Sequence, residues 1–280
     1  IEVITSPGAK YDAEGVGGIL NIVTVGGGFE GYTATFRASG SNRGAGAGGY
    51  ATIKSGKLTL TGNYNYNYNT TPKSYSNSFR ENFDSEDQKY LESNSTSDYD
   101  GSFQYGNLEA SYEIDTLRLL TASFGMYGGS NDNNSDGLTT MWNANRDVLA
   151  YQYGSLSDGS GSWYSMRGNV DYQRTSKKNK DRMITLSYKI STQPQNSDYY
   201  TKYRDIKDPF ELEIIEKFLL NNSHSDGKTN TTEHTFQVDY TTPIGKLHTI
   251  EVGGKYIIRN NLSDNKLFEA KGATDDYEYN

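Results

Sequence analysis

Residues 57–72, "KLTLTGNYNYNYNTTP", alternate in side-chain character for thirteen positions and stop at Pro72. Successive side chains of a β-strand point to opposite faces. Leu58, Leu60, Gly62, Tyr64, Tyr66 and Tyr68 therefore share one face, and Lys57, Thr59, Thr61, Asn63, Asn65, Asn67 and Asn69 share the other. A strand with an aliphatic and tyrosine-rich face backed by a wholly polar one needs an apolar medium on one side and water on the other.

The same period recurs along the chain. "GYTATFRAS" sets Tyr32, Ala34, Phe36 and Ala38 against Thr33, Thr35 and Arg37, and residues 44–54 form a weaker, glycine-rich member. "NLEASYEI", "LLTASFGMY", "YSMRGNVDYQ", "ITLSYKI", "TFQVDY" and "TIEVGGKYIIR" continue the series to nine predicted strands. A soluble sandwich alternates too, so the charges are more telling. Glu109, Glu113, Arg167, Asp171, Lys189, Asp239, Glu251, Lys255 and Arg259 all fall in the polar phase, which suits a wet lumen.

Connection lengths are an independent criterion. "KSGK", "IDT", "SKKNKD" and "TPIGK" are short turns, whereas about 70–101, 131–160 and 193–229 read as long loops. Loops of that length are uncommon in compact domains. Short turns at one rim and long loops at the other mark outer-membrane barrels. The short "GSNRG" between the first two strands is an exception to this scheme.

Composition agrees. The chain of 280 residues has 34% hydrophobic residues, thin for a packed core, yet its 24 tyrosines and 13% aromatics are foreign to disordered chains. With no cysteine there is no disulfide, thiol nucleophile or thiolate-bound zinc. A net charge of -8 argues against nucleic acid as a partner. No apolar run is long enough for a membrane helix, which leaves barrel strands of about 9–11 residues as the way to cross a bilayer. The predicted fold is all-β: part of a transmembrane antiparallel β-barrel of about nine strands, occupying residues 29–280. Nine is an odd number where bacterial single-chain barrels are even, and nine strands alone would leave two open edges, which are costly in lipid. The abrupt start at "IEVI" and the polar end "ATDDYEYN" read as an internal piece of a longer protein.

The first 28 residues, "IEVITSPGAKYDAEGVGGILNIVTVGGG", have another texture: strand (Ile1–Ile4), glycine-containing loop (Ser6–Gly18), strand (Ile19–Thr24). Ile1, Glu2, Val3, Ile4, Pro7, Ala9, Tyr11, Gly15, Gly18, Asn21, Ile22 and Thr24 resemble the end of the plug domain of TonB-dependent outer-membrane receptors. "SPGAKYDAEGVGGILNIVT" and "TFQVDYTTPIGKLHTIEVGGKYIIRNN" look like the Bacteroidetes-type members. Thr5-Ser6-Pro7 departs from the Arg-Gly-Pro of many relatives, which speaks against the siderophore branch in particular. The resemblance makes residues 1–28 the end of a plug, with Pro7, Tyr11, Gly15, Gly18 and Asn21 as structural motif residues. It implies a Gram-negative outer-membrane location and ligand-gated, energised import of a nutrient such as a glycan, peptide or metal chelate. An inner-membrane energy-coupling protein would act through a segment upstream of Ile1, and a surface lipoprotein is an optional further partner. The alternative is an adhesin or signalling receptor without transport.

No catalytic constellation stands out and no cofactor is called for; an outer-membrane hydrolase would need a Ser-His or paired-carboxylate set. His224, His234 and His248 lack ligand spacing. The glycines of "AEGVGG" match no nucleotide loop and read as tight plug packing. "DNNSDG" offers Asp132, Asn134 and Asp136 as a weak calcium candidate, but Asn143 stands where a bidentate Glu belongs. Glu81, Asp84, Glu86, Asp87, Glu92, Asp98 and Asp100 read as a solvated face, with a cation-attracting mouth as the sharper alternative. Residues 208–219 are the helical candidate, with Asp208 as cap, Pro209 at the first position, and Phe210, Ile214, Phe218 and Leu219 on one face. Tyr64, Tyr66 and Tyr68 run toward the loop at 70 and are expected in the aromatic girdle at the outer interface, against outer-membrane lipid.

Overall fold

The computed structural model describes residues 2–4, 19–21, 30–245, 248–270, 272–274 and 277–279. Strands β1 (Glu2–Ile4) and β2 (Ile19–Asn21) pair antiparallel, with Glu2 opposite Asn21. These two strands fall within the stretches read as strands from the sequence; residues 5–18 between them lie outside the described residues.

The remaining strands form one antiparallel meander in chain order. They are β3 (Gly31–Ser41), β4 (Gly44–Ser55), β5 (Leu58–Glu81), β6 (Tyr90–Asp115), β7 (Arg118–Trp142), β8 (Leu149–Thr175), β9 (Met183–Lys207), β10 (Ser223–Ile244), β11 (His248–Ala270) and the three-residue β12 (Tyr277–Tyr279). A five-residue helix, α1 (Ile214–Phe218), lies between β9 and β10. The nine strands expected from the alternation are β3–β11. No helix among the described residues is long and apolar enough to cross a membrane.

Residues directly opposite in an antiparallel pair project from the same face, so the register assigns every side chain. One row reads Tyr32, Ile53, Leu60, Ala110, Ala122, Val170, Tyr188, Phe236 and Tyr256 from β3 to β11. On β7 the apolar face runs from Leu120 to Gly128, and on β8 from Tyr164 to Tyr172. Nine residues at about 3.3 Å each, tilted, match the band of about 25 Å that a barrel presents to lipid. This face is uncovered: Val252 is 61% exposed and Phe124 45%. A sandwich would have packed it inside, which disposes of the soluble alternative.

The lower turns are tight. Gly56 takes φ 55 between β4 and β5, a left-handed conformation that glycine adopts without strain. Asp115 makes the β6–β7 turn, accepting from Leu117 N at 2.9 Å and Arg118 Nε at 2.7 Å. The upper segments correct the sequence reading. Most of 70–101, 131–160 and 193–229 is strand, with connections reduced to 82–89, 143–148 and 208–222. On β8, fifteen residues (149–163) continue above the apolar band, roughly 50 Å at the usual rise. Below its buried top, both faces of this extension meet water, so apolar–polar contrast vanishes and the segment reads as loop although it is laddered to β7 and β9, with irregularities near Met141 and Gln152.

The buried core sits at the far end of these extensions. Met141, Ala150, Tyr151, Ile214 and Leu220 are buried, with Leu91, Tyr153, Tyr203, Ile206 and Leu212 packed around them. The helical candidate is shorter than expected. The helix begins at Ile214 with Glu213 in the N-cap position, so Asp208 is not its N-cap and Pro209 is not its first residue. Asp208 reaches the helix start from outside, its Oδ1 accepting from Leu212 N at 2.8 Å and its Oδ2 from Ile214 N at 3.2 Å. Of the proposed apolar face, Ile214 is buried, whereas Phe210 and Leu219 are exposed.

Candidate functional site

The polar face of the sheet divides into two zones. In the lower one, level with the apolar band, stand Glu109, Arg167, Asp171, Lys189 and the other charges expected there. They are partly paired: Arg259 Nη2 donates to Glu233 Oε2 at 2.6 Å, and Lys54 Nζ lies 3.9 Å from Glu113.

Above this zone the wall changes character. The next row of β5–β8 is Asn65, Tyr105, Tyr127 and Ser165, followed by Asn67, Phe103, Gly129 and Trp163, which Gln195 and Thr229 extend onto β9 and β10. Phe103 and Trp163 have centroids 6.1 Å apart, and Tyr127 meets Trp163 edge-on at 6.0 Å. Tyr105 lies 6.1 Å from Phe103. Two rows higher stand Tyr99 and Tyr199, with Asn133 and Gly159 between them. The ring of Tyr199 leans over Gly159, where a Cβ would collide with it. These rings are not core residues: Trp163 and Tyr127 are each 42% exposed.

On strands β5–β10 the polar face carries no charged residue from the Tyr105 row to the Ser97 row, and on β5–β8 none up to the Ser93 row; only Asn, Gln, Ser, Thr, Gly and aromatic side chains occur there. The charges of the same strands point the other way. Asp100, Asp132, Asp158, Asp198, Asp226 and Arg204 are all on the outward face. At the top, the buried cluster and α1 cover the same polar-side face, through Leu91, Met141, Tyr151, Tyr153 and Tyr203. Desolvation raises the phenol pKa of Tyr151 and of Tyr203 above the ordinary value.

The residues singled out from sequence fall as follows. Pro7, Tyr11, Gly15 and Gly18 lie outside the described residues, as does "AEGVGG"; Asn21 is at the end of β2. Tyr64, Tyr66 and Tyr68 lie on the apolar face at its upper limit. There Tyr64 Oη donates to Gln104, Gln104 Nε2 donates to Tyr164 Oη at 3.3 Å, and Tyr68 Oη donates to Asp100 Oδ1 at 2.6 Å. Asp132, Asn134 and Asp136 are alternate residues of the continuous strand β7 rather than part of a loop that could wrap a cation. Asp136 Oδ1 instead accepts from Arg204 Nη2 at 2.6 Å, and Asn134 Nδ2 donates to Asp98 Oδ2 at 3.1 Å. Among the described residues no cluster of three or more His, Asp or Glu is arranged to hold a metal. Glu92, Asp98 and Asp100 face outward, so they do not make a cation-attracting mouth. The histidines are scattered as read, with His224 stacked on Tyr200 at 3.9 Å and bonded to Asp198 at 3.1 Å.

The aromatic wall was not singled out from sequence. Its signal was present: in "SFQYGNLEASYEI", Phe103 and Tyr105 share the phase of Asn107 and Glu109, so aromatic rings occur in the polar phase.

Residues 174–280, from the end of β8 through β12, match the model of the outer membrane protein beta-barrel family. No curated protein and no solved structure matches the chain. A lipid-height apolar band on one face, a polar opposite face and this match lead to one conclusion: the fold is that of an outer-membrane β-barrel, and the chain belongs in the outer membrane of a Gram-negative bacterium.

Proposed function

We propose that this chain is part of a TonB-dependent receptor, in which the end of the plug (residues 1–28) leads into the first barrel strands and a nutrient is imported without catalysis. The observation that carries the reading is the plug-like motif at the N-terminus, followed directly by a sheet whose polar face runs unbroken from the membrane zone into strand extensions of roughly 50 Å. Such extensions line an approach path on the side facing the ligand. Among the described residues the outer edge of β3, and that of β11 below the three residues paired with β12, are open, which calls for further strands to close the barrel, since unpaired backbone groups are costly in lipid. The inner-membrane coupling protein would act on a segment upstream of the plug.

The test is uptake in cells expressing the protein in its native reading frame. Accumulation of the nutrient should stop when a protonophore collapses the inner-membrane gradient, while binding at the cell surface persists. Surface binding with no gradient-dependent accumulation would instead favour the adhesin or signalling alternative.

A further inference from the structure

The neutral, ring-bearing wall above the membrane zone has a chemistry of its own. A 280-residue chain with 35 acidic and 27 basic residues leaves the polar face of six adjacent strands uncharged from the Tyr105 row to the Ser97 row, and on β5–β8 two rows further, to the Ser93 row. The opposite face of those same strands holds Asp100, Asp132, Asp158, Asp198, Asp226 and Arg204. The neutrality is therefore a property of one face and not of the composition of the segment. We propose that this wall is a binding surface for a linear, uncharged oligosaccharide, whose sugar rings lie on Phe103, Tyr127, Trp163 and Tyr199.

The ligand class follows from what the wall offers. Aromatic faces attract the C–H-bearing faces of sugar rings, and they do so at little cost in side-chain order because the rings are stiff. Side-chain amides and hydroxyls beside them (Asn67, Asn131 and Gln195) can both donate to and accept from sugar hydroxyls. An anionic metal chelate would need Arg or Lys to offset its desolvation, and a peptide would need partners for its charged ends. The wall provides neither on β5–β10. The rings ascend from the Tyr105 row to the Tyr99 row, six residues or roughly 20 Å, which is the length of a short chain of sugars and too long for a single one. Gly129 and Gly159 contribute by their small size. Phe103 and Trp163 lean toward each other across Gly129, and Tyr199 lies over Gly159, so the rings gather into one exposed aromatic patch.

This proposal rests on the receptor reading above, and its test separates the two. The protein in its native reading frame, in detergent or a bilayer, is titrated calorimetrically with maltohexaose, cellohexaose, mannohexaose and xylohexaose. Oligogalacturonate of matched length and a lysine-containing hexapeptide serve as charged probes. At least one neutral hexaose should bind saturably. Trp163→Ala should weaken that binding roughly tenfold, and Trp163→Phe should restore most of it. Tyr199→Ala, at a ring still more exposed, is the second variant should the first fail to assemble. The proposal is overturned if no neutral oligosaccharide binds, if both alanine variants bind as tightly as the parent, or if the charged probes bind equally well. Binding without gradient-dependent uptake would sink the import reading and leave this one standing. Gradient-dependent uptake of a chelate or peptide, with no oligosaccharide binding, would do the reverse.

Discussion

Phe103 and Trp163 stand two strands apart, yet their ring centroids are 6.1 Å from each other. Strands two apart are separated by about 9–10 Å, so the rings lean inward over the strand between them. The residue at that place is Gly129, and a Cβ there would strike the Ser102 carbonyl oxygen. Gly129→Ala is therefore expected to push β6 and β7 apart locally and to separate the two rings. Overpacking of this kind costs about 1–3 kcal/mol. Thermal unfolding in detergent should show the loss, and Trp163 emission in a Trp142→Phe background should shift to the red. An unchanged melting temperature and spectrum would mean the rings do not depend on the glycine.

The cap at the upper end offers a second prediction. Asp208 alone accepts from both Leu212 N and Ile214 N, and Ile214 is the most deeply buried large side chain of the described residues. Asp208→Ala leaves both donors without this acceptor and should loosen α1 by about 1–2 kcal/mol. Hydrogen exchange and limited proteolysis should report faster opening confined to 205–222, with the strands in the membrane zone unaffected. Asp208→Asn, which keeps one acceptor oxygen, should fall between.

The same cap should respond to alkali. Burial raises the Tyr151 and Tyr203 phenols above their ordinary value, because the ionised forms lose water. A group whose pKa is higher folded than unfolded contributes its full stability below the unfolded value, about 10, and that contribution is lost as pH rises through the folded one. The cap should thus be insensitive to pH near neutrality and loosen above pH 10. Exchange rates in residues 205–222 measured across pH 8–11, after correction for intrinsic exchange, provide the readout. Tyr151→Phe should flatten the alkaline part of the profile, and a profile unchanged by the substitution would count against this origin.

How far the sequence reached depends on contrast between the two faces. At Leu58–Tyr68 and Leu120–Met126 one face meets lipid and the other water, so the period of two is plain and the strands are correctly ordered. In "GGSNDNNSDGLTT" both faces are wet, and nothing in the alternation separates strand from loop. Asp132, Asn134 and Asp136 read as a cation loop for that reason, whereas backbone pairing with β6 and β8 keeps them extended. The aromatic wall escaped notice because its members come from β6, β7, β8 and β9 and meet only through the register. Phase within a strand could be read from sequence; the pairing between strands decides which rings touch.

The assignment of faces can be tested directly at one row. Phe124 is at mid-height of the apolar band, opposite Leu108 on one side and Gly168 on the other. Its neighbour Ser123 projects from the polar face, opposite Glu109 and Asn169. Arginine at a lipid-facing position near the bilayer midplane costs about 2–4 kcal/mol. Phe124→Arg should therefore reduce folding yield into lipid vesicles and lower the unfolding midpoint in denaturant. Ser123→Arg adds the same charge one residue away, but in the wet interior and across from the Glu109 carboxylate, where an opposite-charge pair is mildly favourable. It should leave both measurements nearly unchanged. Equal penalties at 123 and 124 would mean that neither face is the lipid face, and the barrel orientation would have to be abandoned.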